Sequence, residues 1–88
     1  MKAAYFTEKE KIEFRDEPVP ALKESDALVR IAYTGICGSD VHTYRGTSSA
    51  SFPIITGHEF SGVIEEIPKN AVNPAGLKKG DKVVGWIV

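Results

Sequence analysis

The chain alternates between short apolar stretches and polar turns, a pattern that predicts strands far more often than helices. Its strongest stretches are rich in β-branched and aromatic residues, and no segment of helical length repeats apolar residues every three to four positions. The predicted strands cover residues 2–7, 11–16, 27–35, 59–67 and 82–88. The sequence therefore predicts an all-β domain, either a small barrel or a sandwich.

Turn and capping residues separate these strands. Charged residues between the first two strands indicate a hairpin, and the segment KKGD before the last strand indicates another turn. One short helical turn is predicted near residues 39–45, because Ser39 is a favourable N-cap residue. Gly62 interrupts the fourth predicted strand, which indicates a β-bulge or the close approach of another backbone segment.

Composition and charge are those of an ordinary globular domain. Of 88 residues, 42% are hydrophobic and 26% are charged, and the net charge is −1. The chain therefore lacks the basic surface that is typical of nucleic-acid binders. Its apolar runs are too short to span a membrane, and charges near its start interrupt the apolar core of any signal peptide. We expect a cytoplasmic protein without a nucleic-acid or membrane partner.

The candidate chemistry lies in two segments, GICGSDVHTYRG at 35–46 and ITGHEFSGV at 55–63. The first contains Cys37, the only cysteine, and the second contains His58 beside Glu59. These are potential ligands for a divalent metal of intermediate softness, with zinc the first candidate. A lone cysteine more often only packs, and the other two residues also suit an ordinary strand start. A single cysteine excludes both an internal disulfide and the usual multi-cysteine structural zinc site.

The adjacency of His58 and Glu59 restricts how both could bind one ion. Neighbouring residues in a regular strand point to opposite faces, so both side chains cannot reach the same ion from such a backbone. Either Gly57 allows the backbone to leave the strand here, or Glu59 acts from behind the metal. The sequence leaves both possibilities open.

Ser39 and His42 are three residues apart, which places them on neighbouring surface of a helical turn. A hydroxyl and an imidazole in this arrangement can pass a proton, and histidine titrates near neutral pH. The simpler interpretation is that Ser39 caps the turn and His42 is a solvated surface residue. Local sequence alone favours this simpler interpretation.

The segments GICGSDVH, GHEFSGVIEE and GDKVVG, in this order and spacing, resemble the zinc-dependent medium-chain alcohol and polyol dehydrogenases. The block around Gly57, His58, Glu59 and Gly62 is similar to the zinc signature of that family. The resemblance extends over residues 1–88 and implies the N-terminal, GroES-like part of the catalytic domain, a partly open β-barrel. Sorbitol, threonine and sugar-alcohol dehydrogenases are the members that the chain resembles most.

The resemblance implies a role for each candidate residue. Cys37 and His58 correspond to ligands of the catalytic zinc, and Glu59 to the adjacent acid that binds zinc or stands just behind it. Ser39 corresponds to the hydroxyl that takes the proton of the substrate alcohol. His42 corresponds to the outer group that passes this proton towards solvent. Hydride would go to NAD or NADP in a complete enzyme.

The resemblance also implies parts that we do not find in this sequence: the Rossmann cofactor domain, the structural-zinc lobe and a further zinc ligand. No G-x-G-x-x-G motif occurs in the chain. We therefore expect these 88 residues to be inactive alone and to self-associate through the strand edge near residues 83–88. One alternative is a stand-alone GroES-like module that binds metal or a partner without catalysis. A co-chaperonin-like ring subunit would share the barrel but leave the three metal-ligand candidates unexplained.

Overall fold

The computed structural model describes residues 1–85, which form a mainly β structure with one short helix. The elements are β1 (Lys2–Glu8), β2 (Lys11–Asp16), β3 (Leu28–Thr34), α1 (Gly38–Arg45), β4 (Phe60–Glu66) and β5 (Lys82–Gly85). Apart from the end of β5, each strand end lies within one residue of its predicted position, so the predicted strands are confirmed. The predicted continuation of the last strand to residue 88 lies outside the described residues. Between residues 1 and 85, no helix is long and apolar enough to cross a membrane.

The first of two compact units consists of Met1–Val19 and Gly35–Gly57. In it, β1 and β2 form the predicted antiparallel hairpin. Glu10 takes a left-handed φ of 61° in the turn between them. Helix α1 contacts this hairpin, because the Glu10 N–H donates to the Tyr44 carbonyl oxygen at 2.7 Å. The rings of Phe6 and Tyr44 also meet edge to face, with 6.1 Å between their centroids.

Tyr5 on β1 connects this strand to Glu17, the residue that follows β2. Its hydroxyl donates to Glu17 Oε1 at 2.9 Å, and the Arg15 guanidinium lies 4.7 Å from the centre of its ring. The hydrogen bond to Glu17 raises the pKa of Tyr5 above its usual 10.0, because ionisation would place a phenolate against a carboxylate. These contacts hold β1 against the last residues of β2 and the residue that follows it.

The second unit consists of Pro20–Thr34 and the chain from His58 onward. Its sheet has the order β3-β4-β5, with both pairs antiparallel and β4 in the centre. Ile64 on β4 is the only buried hydrophobic side chain among residues 1–85, with 3% of its surface exposed. Its backbone N–H donates to the Asp81 carbonyl oxygen at 2.9 Å. The loop between β4 and β5 therefore folds back onto the central strand.

Two backbone segments approach closely at Gly62 on β4. A Cβ at this position would be 2.7 Å from Val29 Cγ1 and would overlap the carbonyl oxygen of Arg30. The register of the β3–β4 pair also shifts between Ile31 and Tyr33, beside the position that pairs with Gly62. The close approach and the irregular pairing that the sequence predicts here are both present.

The predicted turn before β5 depends on Asp81. The Lys78 backbone N–H donates to Asp81 Oδ2 at 2.9 Å, and the Lys78 ammonium lies 3.3 Å from Oδ1. The backbone hydrogen bond is the main reason that the pKa of Asp81 is below its usual 3.8, because it stabilises the ionised carboxylate. Gly80, with φ of 95°, provides the left-handed residue of the turn.

Candidate metal centre

Cys37 lies at the N-terminus of α1, and its side chain is half-buried. Its backbone N–H donates to Asp40 Oδ2 at 2.9 Å, so the Asp40 carboxylate caps the first turn. The positive end of the helix favours nearby negative charge, which suits a thiolate ligand. The prediction of Ser39 as the N-cap residue is wrong. The helix begins at Gly38, which leaves Ser39 inside the first turn with an exposed side chain.

Helix α1 ends in a Schellman motif. Gly46 has a left-handed φ of 74°, and its N–H donates to the Thr43 carbonyl oxygen at 3.0 Å. The Thr47 N–H donates to the His42 carbonyl oxygen at 2.9 Å. The exposed His42 side chain meets the same threonine, with Nδ1 3.2 Å from Thr47 Oγ1. Thr47 was not predicted as a functional residue, because its only signal in the sequence is its position after a helix-ending glycine.

The two candidate proton-transfer residues, Ser39 and His42, both lie on α1 with exposed side chains. The Ser39 carbonyl oxygen accepts a hydrogen bond from Thr43 Oγ1 at 3.0 Å. This bond fixes the buried Thr43 hydroxyl inside the helix. The contact of His42 with Thr47 orients the imidazole ring. A proton relay from Ser39 to His42 stays a prediction.

His58 and Glu59 lie immediately before β4, which begins at Phe60. The sequence predicted that the strand begins at Glu59, and the observed start is one residue later. Neither residue therefore belongs to the strand, so the alternation of side chains along a strand does not separate them. His58 and Glu59 thus lie in a loop between Gly57 and β4, as the first of the two possibilities requires of the backbone. The role of Glu59, as a ligand or as the acid behind the metal, stays a prediction.

Three candidate ligands offer metal-binding atoms close to one another. The Cys37 sulfur, an imidazole nitrogen of His58 and a carboxylate oxygen of Glu59 all lie within 4.8 Å of one another, and all three side chains are half-buried. A tetrahedral zinc ion with bonds of about 2.0–2.3 Å has ligand atoms roughly 3.3–3.8 Å apart. Sulfur, nitrogen and oxygen ligands also match the chemistry of zinc.

Residues 23–87 match the alcohol dehydrogenase GroES-like domain. The chain belongs to this family. Probable D-xylulose reductase A of Arthroderma otae is 49% identical over 80 residues, which cover 83% of this chain and 21% of that relative. The solved structure of alcohol dehydrogenase TADH from Thermus sp. ATN1 has a TM-score of 0.84 and 39% identity, covering 97% of this chain and 24% of that one. The apo form of zinc dependent alcohol dehydrogenase 2 from Streptococcus pneumonia has a TM-score of 0.81 and 36% identity, covering 96% and 24% of the two chains.

The GroES-like fold implied by the sequence resemblance is thus confirmed. The described strands of this GroES-like domain form two sheets, one of two strands and one of three. This agrees with the predicted partly open barrel. The chain spans about a quarter of the length of these relatives.

Proposed function

We propose that this GroES-like domain carries the catalytic zinc site of an NAD(P)-dependent alcohol or polyol dehydrogenase. The observation that carries the proposal is the set of three zinc-type ligand atoms, from Cys37, His58 and Glu59, within 4.8 Å of one another. Cys37 and His58 are assigned as ligands. Glu59 is assigned as the third ligand or as the acid just behind the metal.

The number of ligands suits a catalytic site better than a structural one. Structural zinc sites are closed by four protein ligands, whereas catalytic sites use three and keep one position for substrate or water. When bound, zinc supplies a Lewis acid that polarises an alcohol or carbonyl oxygen. The half-buried ligands place this chemistry where water is partly excluded, which strengthens electrostatic interactions with the substrate.

Ser39 and His42 are assigned to proton transfer. In alcohol oxidation the hydroxyl proton of the substrate must leave, and we assign the Ser39 hydroxyl to accept it while its own proton moves on towards His42. The exposed imidazole of His42 then passes the proton to solvent. Their positions on one helix, three residues apart and both exposed, support this assignment.

The hydride acceptor in the complete enzyme is proposed to be NAD or NADP. When bound, the nicotinamide ring would accept hydride from the carbinol carbon of the substrate and would so supply the redox chemistry. We assign no dinucleotide-binding residue, because the chain contains no G-x-G-x-x-G motif. The name of the relative from Arthroderma otae, a xylulose reductase, supports a small alcohol or polyol as the substrate.

Self-association and a cytoplasmic location complete the proposal. Among the described residues of this sheet, β5 pairs only with β4. Val84 on β5 is 80% exposed. An exposed strand edge is a template for pairing, and we expect a second copy of the chain to add there. Concentration-dependent sedimentation should show dimers, and Val84→Lys should shift the equilibrium to monomers. A monomer at all concentrations would contradict this part of the proposal.

A zinc titration tests the proposed metal site. Calorimetry with the purified chain should show one zinc ion per chain, and Cys37→Ala should weaken binding far more than His42→Ala, because only Cys37 is assigned as a ligand. Equal binding by Cys37→Ala and the wild-type chain would contradict the assignment.

A second assay follows reduced nicotinamide absorbance with zinc, NAD or NADP, and a panel of alcohols and polyols. We expect no turnover by these 88 residues, because nothing assigned here positions nicotinamide against the substrate. Clear turnover would show that the cofactor site has been missed.

A further inference from the structure

Thr47 makes two contacts with the same residue of α1. Its Oγ1 lies 3.2 Å from His42 Nδ1 and 3.2 Å from the His42 carbonyl oxygen. Its backbone N–H donates to that carbonyl oxygen as well, at 2.9 Å. The Schellman motif at Gly46 fixes the backbone that places Thr47 here. The threonine hydroxyl is therefore held against the histidine ring by the helix end itself.

These two contacts restrict where the protons lie. A carbonyl oxygen can only accept, and a hydroxyl has one proton to donate. Both contacts are hydrogen bonds at once only when Thr47 donates to the carbonyl oxygen and the His42 Nδ1–H donates to Thr47 Oγ1. If Nδ1 carried no proton, one of the two contacts would set lone pairs against each other.

We infer that Thr47 holds neutral His42 in the Nδ1–H tautomer and leaves Nε2 as its proton-accepting atom. Thr47 is thus a positioning residue, and its importance for catalysis rests on the proposed function. A proton taken up at Nε2 gives an imidazolium, which still donates Nδ1–H to Thr47. When Nε2 releases that proton to water, the same hydrogen bond remains. The ring therefore keeps one orientation while protons pass through Nε2.

The His42 side chain is exposed. The expected effect of Thr47 is therefore a change in the relative populations of the two neutral tautomers of the His42 ring. In water an isolated neutral histidine side chain favours the Nε2–H tautomer. A majority of the Nδ1–H form at His42 therefore requires a specific partner for Nδ1. Among the contacts described for this ring, Thr47 Oγ1 is that partner.

Long-range nitrogen–proton NMR of the chain labelled with nitrogen-15 histidine tests the inference. The spectra are recorded about two pH units above the usual histidine pKa of roughly 6.5, where the ring is neutral. His42→Gln assigns the signals, because the chain has only two histidines. We expect mostly Nδ1–H in the wild-type chain and in Thr47→Ser, which keeps the hydroxyl. Thr47→Val, similar in shape but without the hydroxyl, should revert to mostly Nε2–H.

Thr34→Val is the matched control, because it makes the same change at an exposed threonine on β3 and should leave the His42 signals unchanged. Circular dichroism checks that Thr47→Val remains folded. A wild-type ring that is mostly Nε2–H, or equal populations in the wild-type chain and Thr47→Val, would overturn the inference. The measurement needs neither zinc, substrate nor cofactor. A titration without zinc binding would contradict the zinc proposal and leave the tautomer inference standing. An NMR spectrum without the Nδ1–H form would contradict the tautomer inference and leave the zinc proposal standing.

Discussion

Replacing Gly62 with alanine should destabilise the fold by crowding the β3–β4 pair. The added methyl group would be 2.7 Å from Val29 Cγ1, 3.1 Å from the Arg30 carbonyl carbon and closer still to its oxygen. The valine methyl could rotate away, but the Arg30 carbonyl belongs to the backbone of the paired strand. Relief therefore requires the two strands to separate locally.

The expected loss follows from two opposing effects. Adding a methylene-sized group to a filled site typically costs about 1–3 kcal/mol. Replacing glycine by alanine returns about 0.5–1 kcal/mol, because the unfolded chain loses less backbone freedom on folding. The difference between these two ranges is about 0–2.5 kcal/mol. Because the crowding is against backbone atoms, we expect the upper part of this range, about 1–2.5 kcal/mol, which corresponds to a Tm lower by roughly 4–20 °C for a domain of this size.

Thermal and urea unfolding followed by circular dichroism would measure this loss. Gly38→Ala is the matched control. A Cβ there would meet no atom within 4 Å beyond its chain neighbours and the backbone of its own helix, and the φ of Gly38 is not left-handed. We expect Gly38→Ala to be about 0.5–1 kcal/mol more stable than the wild-type chain, because it keeps the unfolded-state gain without the crowding. A Gly62→Ala variant as stable as this control would refute the close approach of β3 and β4.

Three further predictions concern stability. Gly46→Ala should cost about 1 kcal/mol in chemical unfolding, because φ of 74° is unfavourable for alanine, and Gly46→Asn should cost less. Ile64→Ala should lower the unfolding free energy by about 2–5 kcal/mol and Ile64→Val by about 0.5–1.5 kcal/mol. Val84→Ala, at a side chain 80% exposed, should change it little. The lowered pKa of Asp81 means that its ionised form stabilises the fold above its usual 3.8, and that this contribution is lost as pH falls through the folded-state value. The stability difference between the wild-type chain and Asp81→Asn in urea should therefore be present at neutral pH and shrink in acid.

The strands were predictable because their signal is local. Alternating and β-branched residues specify an extended segment, and glycine or proline marks where it ends. Gly62 shows that even a tertiary feature can leave a local trace, since a glycine inside a strand has few other reasons to be there. The helix start was predicted less well, because Ser39 and Asp40 are both capping residues. Only the three-dimensional structure shows that the Asp40 carboxylate takes the bond from the Cys37 N–H.

The candidate metal centre could not be derived from spacing alone. Cys37 lies in a segment far along the chain from His58, and their approach depends on the tertiary fold. The resemblance to a dehydrogenase family, and not the residue pattern by itself, indicated that Cys37 and His58 bind the same metal ion. Thr47 was missed for a related reason. A threonine after a glycine predicts a turn, while its contact with the His42 ring depends on how the helix ends.

X-ray absorption spectroscopy of the zinc-loaded chain tests the central claim most directly, because it measures the ligand atoms themselves. We expect one sulfur at about 2.3 Å from zinc, together with nitrogen and oxygen atoms at about 2.0–2.2 Å. The sulfur should disappear in Cys37→Ser, since Cys37 is the only cysteine. The nitrogen contribution should fall in His58→Ala. A wild-type spectrum with oxygen ligands alone would contradict the assignment of Cys37 and His58 as the ligands of this metal site.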